Sequence, residues 1–419
     1  MEWLPILQTA SFLLVSLVTL LFAYQVLYLY LPLLRHFRQK KQVSDAEPLR
    51  YAVLIAARNE EMVLPHLLDS IRAQDYPADH IDMFVVADNC TDNTAQVAEE
   101  HGATVFKRFN KQLIGKGRAL HYLLEMIQCH IGWEKYDAFL VFDADNLLEP
   151  DYFRNINTLP AQGYQAFCGY RNTKNFGTNW LTSGYGLWYL HESGHMNLSR
   201  STLKTGAHVN GTGFGFTREL LEKIGGWNFY TLTEDIEFNN YCATNGIKIG
   251  YCYDAVLYDE QPLTFSQSWK QRTRWAKGGM QVSFKYIANV LRGLFQGGWG
   301  SYTCGELLTL SFWGFCLGSF TSVFTILTSY LSSSHVRFLQ WFALMIVLAY
   351  LGMAFIGLMT VIYEWKRIRA TAREKIISVL TFPFFMATFV PITICAVFSK
   401  NKWDPIAHTV AISNADLAK

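Results

Sequence analysis

Eight cysteines are scattered through the 419 residues with no C-x-x-C pair and no histidine-partnered zinc spacing, so no zinc site is written into this chain. A Walker phosphate loop is missing too. "IGKGRA" (114–119) contains Gly-Lys without the preceding glycine spacing or a following Ser or Thr, and "GTGFGF" (211–216) lacks the strand-to-helix context of a dinucleotide fingerprint. The net charge is only +2, which argues neither for nor against nucleic acid, and no nucleic acid partner is expected. What the sequence has in excess is apolar residues, 51% of the chain.

Much of that excess lies in charge-free runs. Residues 7–34 carry no charge over more than the roughly 20 residues a bilayer crossing needs. Further apolar runs occupy 307–331, 338–363 and 376–398. The first is not a secretory signal, because its basic residues follow it and it is longer than an apolar signal core. "RHFRQKK" (35–41) and "EWKRIRATAREK" (364–375) are short basic clusters. By the positive-inside rule they lie in the cytoplasm, which places the polar middle, about 42–300, inside and the N-terminus outside. Cytoplasmic thiols stay reduced, so the cysteines are expected to be ordinary core residues. The glycosylation patterns at Asn89 and Asn210 are then accidental. The last run is awkward, because Pro383 and Pro391 interrupt it and two lysines follow it. Spanning and re-entrant readings both stay open.

In the middle of the chain, short apolar runs alternate with helix-like stretches. "YAVLIAARNE" and "IDMFVVADN" read as buried strands, and "EMVLPHLLDSIRAQ" and "TDNTAQVAEEHG" as helices. "ATVFKR", a helix at "GRALHYLLEMIQ" and a strand at "DAFLVFDAD" follow. This alternation implies a mostly parallel sheet with right-handed crossovers, whose ligands bind beyond the carboxyl ends of the strands. Polar residues collect at those ends, in "ARNE", "ADN" and "DADN". On that extended strand residues two apart point to the same face, so Asp143 and Asp145 would aim both charges at one point and repel, and a positive group is expected between them. Two carboxylates together with water and substrate phosphates are the usual way Mg²⁺ is held.

Later, "LTEDIEFNNYCATNG" (232–246) opens with a cap-like Thr233 and an acidic first turn. "SWKQRTRWAKGG" (268–279) sets Lys270, Arg272, Arg274 and Lys277 around Trp275. Alone, it reads as a basic membrane-surface helix. Beside a diphosphate site it offers guanidinium groups for phosphate and an indole face for a sugar.

Asp88 of "VVADN", the "DAD" pair, Asp235 of "TED" and "QRTRW" as a Q-x-x-R-W motif occur in one order over about residues 50–280, flanked by apolar runs. In this the chain resembles the membrane-embedded processive family 2 glycosyltransferases, the group of cellulose, hyaluronan, chitin-oligosaccharide and poly-N-acetylglucosamine synthases. The resemblance implies a GT-A-like α/β catalytic domain with transmembrane helices and inverting transfer from a UDP-sugar, with UDP-N-acetylglucosamine or UDP-glucose favoured. It implies that Asp88 contacts the uridine, that Asp143 and Asp145 hold Mg²⁺ or Mn²⁺ and the diphosphate, and that Gln271 and Arg274 brace the pyrophosphate. Asp235 is then the general base, with Glu234 and Trp275 at the acceptor. The expected acceptor is a growing β-linked polysaccharide threaded through the membrane, or alternatively a lipid or short oligosaccharide. A receptor or transporter with a degenerate sugar-binding domain is disfavoured by the intact carboxylate set. With one N-terminal span and no recognisable cyclic-dinucleotide domain, regulation of the cellulose-synthase kind is not expected. The expected organisation is an N-terminal span at 1–41, a catalytic domain at 42–282, an interfacial helix at 283–302, membrane or re-entrant helices at 303–399 and a tail at 400–419, in an inner-membrane protein.

Overall fold

The computed structural model describes residues 3–36, 46–400 and 412. The basic residues 37–41 and nearly all of the tail at 400–419 lie outside the described residues. Eight strands form one sheet: β1 Tyr51–Ala57, β2 Ile81–Asp88, β3 Thr104–Arg108, β4 Ala138–Asp143, β5 Leu147–Leu148, β6 Ala166–Thr173, β7 Phe214–Thr217 and β8 Ile249–Asp259, in the order β3-β2-β1-β4-β7-β6-β8-β5. β3, β2, β1 and β4 are parallel, as their alternation with helices requires. β7 runs antiparallel between β4 and β6, β6 pairs parallel with β8, and β5 is antiparallel to β8. The parallel half is thus the half legible in sequence, and the sheet as a whole is mixed.

β1 and β4 are buried almost throughout, which explains why they read as continuous apolar runs. Two cores fill the faces of the sheet. One contains Leu54, Leu120, Phe139, Phe216 and Trp227, and the other Val53, Leu67, Leu140 and Phe153. The "TED" segment begins the helix Glu234–Thr244, but Thr233 makes no capping hydrogen bond and its hydroxyl is buried without a partner. The cap expected there is absent because Thr233 lies beneath the long helix Phe265–Gly293. A Cβ at Gly278 on that helix would stand 2.6 Å from the Thr233 side chain. The long helix carries the whole basic stretch and continues past residue 282.

Among the described residues four helices are long and apolar enough to cross a membrane: Leu4–Pro32, Phe312–Ser332, His335–Tyr363 and Ala372–Phe398. The last consists of two segments, Ala372–Ala387 and Phe389–Phe398. Pro391 cannot donate to the carbonyl of Ala387, and its ring crowds that carbonyl, so the helix breaks just before it. The buried Arg272 guanidinium fills the break. Its Nη1 donates to Thr388 Oγ1 at 2.6 Å and to the Phe385 carbonyl at 3.4 Å, between the Phe385 and Phe389 rings. None of the eight cysteines is in a disulfide, and Cys129 and Cys395 are exposed, so these two are not core residues.

Candidate functional site

The parallel register sets Ala57 opposite Ala87 and Ala56 opposite Asp143, so Asp88 and Asp143 leave the sheet on either side of the end of β1. There they border an open cleft, also lined by Lys116, Asp145, Arg171 and Asp259 and, from the long helix, by Gln271 and Arg274. Five of the residues singled out in sequence therefore share one cavity: Asp88, Asp143, Asp145, Gln271 and Arg274.

The two aspartates of "DAD" do not lie on one extended strand. β4 ends at Asp143, and the Asn146 N–H donates to the Asp143 carbonyl at 3.1 Å, closing a turn. Asp145 is thereby buried, and its Oδ2 accepts the Glu260 N–H at 2.9 Å, while the Asp143 side chain stays 35% exposed. A positive group within the chain stands at one member of the pair, Asp143, and not between the two. Lys116 Nζ donates to Asp143 Oδ1 at 2.5 Å and to the Gly211 carbonyl at 2.7 Å, and stands 3.9 Å from Glu234 Oε1. Burial works against its charge, but Asp143 and Glu234 outweigh that and raise its pKa. Lys116, in "IGKGRA", opens the helix Lys116–His130, and its signal was the lysine itself, placed between a strand and a helix.

Asp88 is buried and held by Arg108 Nη1 at 2.5 Å and by Asn89 Nδ2 at 3.0 Å. Asn89 adopts a positive φ of 55° and spends its amide on Asp88 and the Asn110 carbonyl. Arg171 on β6 pairs with Asp259 at the end of β8, its Nε donating to Oδ2 at 2.7 Å, and its Nη1 donates to the Asn210 carbonyl at 2.5 Å. Burial pushes the Asp259 carboxyl up to about 6, with Arg171 opposing and Asp145 adding to the rise. Neither Arg171 nor Asp259 stood out in sequence, since the strands that carry them are not alternating apolar runs.

Glu234 and Asp235 open their helix beside this cleft. Burial is the main cause raising both carboxyls, the Glu234 group to about 7 with Lys116 opposing and the Asp235 charge assisting. At Asp235 the nearby backbone of Ile236 and Gly211 and the Lys116 charge oppose the rise. Trp275 is not among the cleft-lining residues. It is partly buried and meets the Tyr185 ring edge-on at 5.9 Å. On the same helix, Gln271 Oε1 and Arg274 Nε are buried without a hydrogen-bond partner. Two polar atoms so placed are costly unless a ligand meets them.

A divalent ion is compatible with this donor set. Among the described residues no group of three or more His, Cys, Asp or Glu side chains is arranged to hold a metal ion. Two cleft carboxylates suit an ion that draws its other ligands from diphosphate and water.

A sheet of this order, with its carboxylates at one edge, is the GT-A-like glycosyltransferase fold. The mannosyltransferase PcManGT of Pyrobaculum calidifontis, solved with GDP-Man and Mn²⁺, shares it with a TM-score of 0.60 at 16% identity, over 93% of this chain and 99% of that one. The chain belongs to the family described as glycosyltransferase like family 2, whose profile matches residues 48–278, over half of its length. It is 28% identical over 251 residues to the probable glycosyltransferase YdaM of Bacillus subtilis, covering 58% of each protein. It is also 28% identical over 256 residues to a beta-monoglucosyldiacylglycerol synthase of Synechocystis, covering 58% of this chain and 51% of that protein. To a poly-beta-1,6-N-acetyl-D-glucosamine synthase of Staphylococcus epidermidis it is 25% identical over 233 residues, 55% of this chain and 54% of that one. The chain thus spans between 51% and 58% of the length of these relatives.

Proposed function

We propose that this glycosyltransferase moves a sugar from a UDP-sugar, with inversion, to the growing end of a β-linked polysaccharide at the membrane face. The observation that carries the donor half is the cleft in which Asp88, Asp143 and Asp145 face Gln271 and Arg274, two side chains with unmet buried polar atoms. Arg274 offers its Nε to the diphosphate, Gln271 braces it, and Asp88 meets the uridine. Asp143 and Asp145 would hold Mg²⁺ or Mn²⁺, which when bound supplies positive charge against the diphosphate leaving group. A sugar hydroxyl is almost never ionised at neutral pH and needs a carboxylate within reach. Asp235 takes that proton, and Glu234 and Trp275 receive the acceptor end. Attack opposite the diphosphate turns an α-linked donor into a β-linked product. UDP-N-acetylglucosamine and UDP-glucose are the favoured donors.

The bilayer is the expected setting, in an inner membrane with the catalytic domain on the cytoplasmic side, since nucleotide sugars are made there and the positive-inside rule puts the basic cluster at 364–375 on that side. A second reading, transfer of one or a few sugars to a lipid or short oligosaccharide, is favoured by the likeness to a beta-monoglucosyldiacylglycerol synthase. Purified protein in detergent, given radiolabelled UDP-sugars with Mg²⁺ or Mn²⁺, separates the two. Long polymer supports the first reading and a single-sugar lipid the second. No transfer from any UDP-sugar would sink both.

A further inference from the structure

The basic cluster after the third apolar helix does more than mark a membrane side, because its arginines are engaged. Arg367 lies over the Tyr253 ring at 3.9 Å and the Tyr170 ring at 4.3 Å, donates from Nη1 to the Tyr253 carbonyl at 3.2 Å, and accepts Asn172 Nδ2 at its own carbonyl at 3.0 Å. Glu364, 1% exposed, stands 3.7 Å from Arg367 Nε and accepts the Tyr253 hydroxyl. Arg369 lies over the Tyr258 ring, donating to its hydroxyl at 2.9 Å and to Glu149 Oε1 at 3.1 Å, and the Tyr258 hydroxyl donates to the same carboxylate at 2.6 Å. Guanidinium groups stacked on rings and bonded at their edges hold a fixed orientation, which a solvated basic loop would not.

The tyrosines so gripped belong to the strands that build the cleft. β6 and β8 pair Tyr170 with Val256, Arg171 with Leu257, Asn172 with Tyr258 and Thr173 with Asp259. Side chains alternate between faces along a strand, so Tyr170, Asn172 and Tyr258 turn to the arginines while Arg171 and Asp259 turn to the cleft. The next residue, Glu260, gives its N–H to Asp145. Glu149 directly follows β5, which is hydrogen-bonded to β8.

We propose that the turn at 364–369, between the third and fourth apolar helices, is a positioning element of the donor cleft. Arg367 and Arg369 hold the ends of β6 and β8 from behind so that Arg171, oriented by Asp259, faces the donor diphosphate and the Glu260 N–H fixes Asp145 beside it, and donor affinity follows the seating of the membrane helices. This rests on the UDP-sugar reading above.

The test is calorimetric titration of UDP with Mn²⁺ into the full chain in detergent, for wild type, Arg367→Ala and Arg367→Lys, which keeps the charge and loses the planar stack. Arg367→Ala is expected to bind UDP on the order of tenfold more weakly at unchanged stoichiometry, with Arg367→Lys between it and wild type. A purely structural role would lower the binding-competent fraction and leave the affinity of the remainder intact. Unchanged affinity in Arg367→Ala would overturn the proposal. Should that variant fail to fold, Tyr258→Phe decides, since it removes only a hydroxyl. Affinity about threefold weaker is expected, and wild-type affinity would overturn the idea. Wild type that binds GDP in place of UDP corrects the donor base alone, and the variants are then compared with GDP. Wild type that binds neither overturns both readings.

Discussion

Asp145 and Asp235 differ in what their loss removes. Asp145→Asn takes a carboxylate from the candidate ion site, so turnover and UDP binding at limiting Mn²⁺ should fall together in a folded protein, and normal activity under that limit would refute the metal role. Asp235→Asn removes the proposed proton acceptor and leaves Asp143, Asp145 and Arg274 in place. Turnover should drop on the order of 10²–10⁴-fold, while UDP affinity stays within about threefold of wild type, a change well under 1.4 kcal/mol. Loss of UDP binding in a folded Asp235→Asn protein would count against the assignment. Burial raises the Asp235 pKa, so it stays protonated at a pH where an ordinary aspartate is already ionised. A base works only when ionised, so activity should be lost as pH falls through a value above the ordinary one. The Glu234 carboxyl, pushed up to about 7 by burial and in part by the Asp235 charge, gains its proton first as pH falls, so Glu234→Gln should leave that acid limb of kcat/KM in place, and a limb moved to lower pH would show that the Glu234 charge sets it. These carboxylates were legible as residue types. Lys116, their counter-charge, was not, because its partners lie 27 and 118 residues along the chain at Asp143 and Glu234.

The helix Phe265–Gly293 joins the side of the cleft lined by Gln271 and Arg274 to the "TED" helix, and Gly278 sets how closely they pass. A Cβ there would meet the Thr233 side chain at 2.6 Å and its backbone nitrogen at 2.9 Å. Gly278→Ala is therefore expected to cost about 1–3 kcal/mol through overpacking and to reduce turnover by moving Asp235 relative to Arg274. Wild-type melting and wild-type activity together would mean that the contact relaxes freely. Periodicity identified this helix as basic and amphipathic but not its facing. Gln271 and Arg274, three apart, fall on one side and line the cleft, whereas Arg272 turns a quarter-circle away into the broken fourth apolar helix. β1, β2 and β4 were readable because burial on both faces makes them continuous apolar runs. β6 and β7 carry glycines, and β6 also Arg171 and Asn172, so neither reads as an apolar run and neighbours distant in sequence decide them.

Across the whole molecule, the third and fourth apolar helices reach the sheet through the turn at 364–369, and the fourth meets the long helix at Arg272, so on the proposed reading orientation in a membrane and access to nucleotide sugar are one question. A membrane-impermeant thiol reagent should miss a cysteine placed at position 40 or 370 in intact cells, and labelling of both from outside would overturn the cytoplasmic placement of the cleft. By itself the sequence determined the four apolar helices, the parallel half of the sheet and the carboxylate set, since each depends on hydrophobicity or on residues adjacent along a strand or helix. The tertiary structure alone decided that Lys116 neutralises Asp143, that β7 enters antiparallel, that Trp275 packs on Tyr185 outside the cleft lining, and that the arginines after the third apolar helix seat on tyrosines of β6 and β8. Each of these joins residues far apart in the chain. Such contacts form only once burial has brought the elements together, and no local pattern encodes which element will lie opposite.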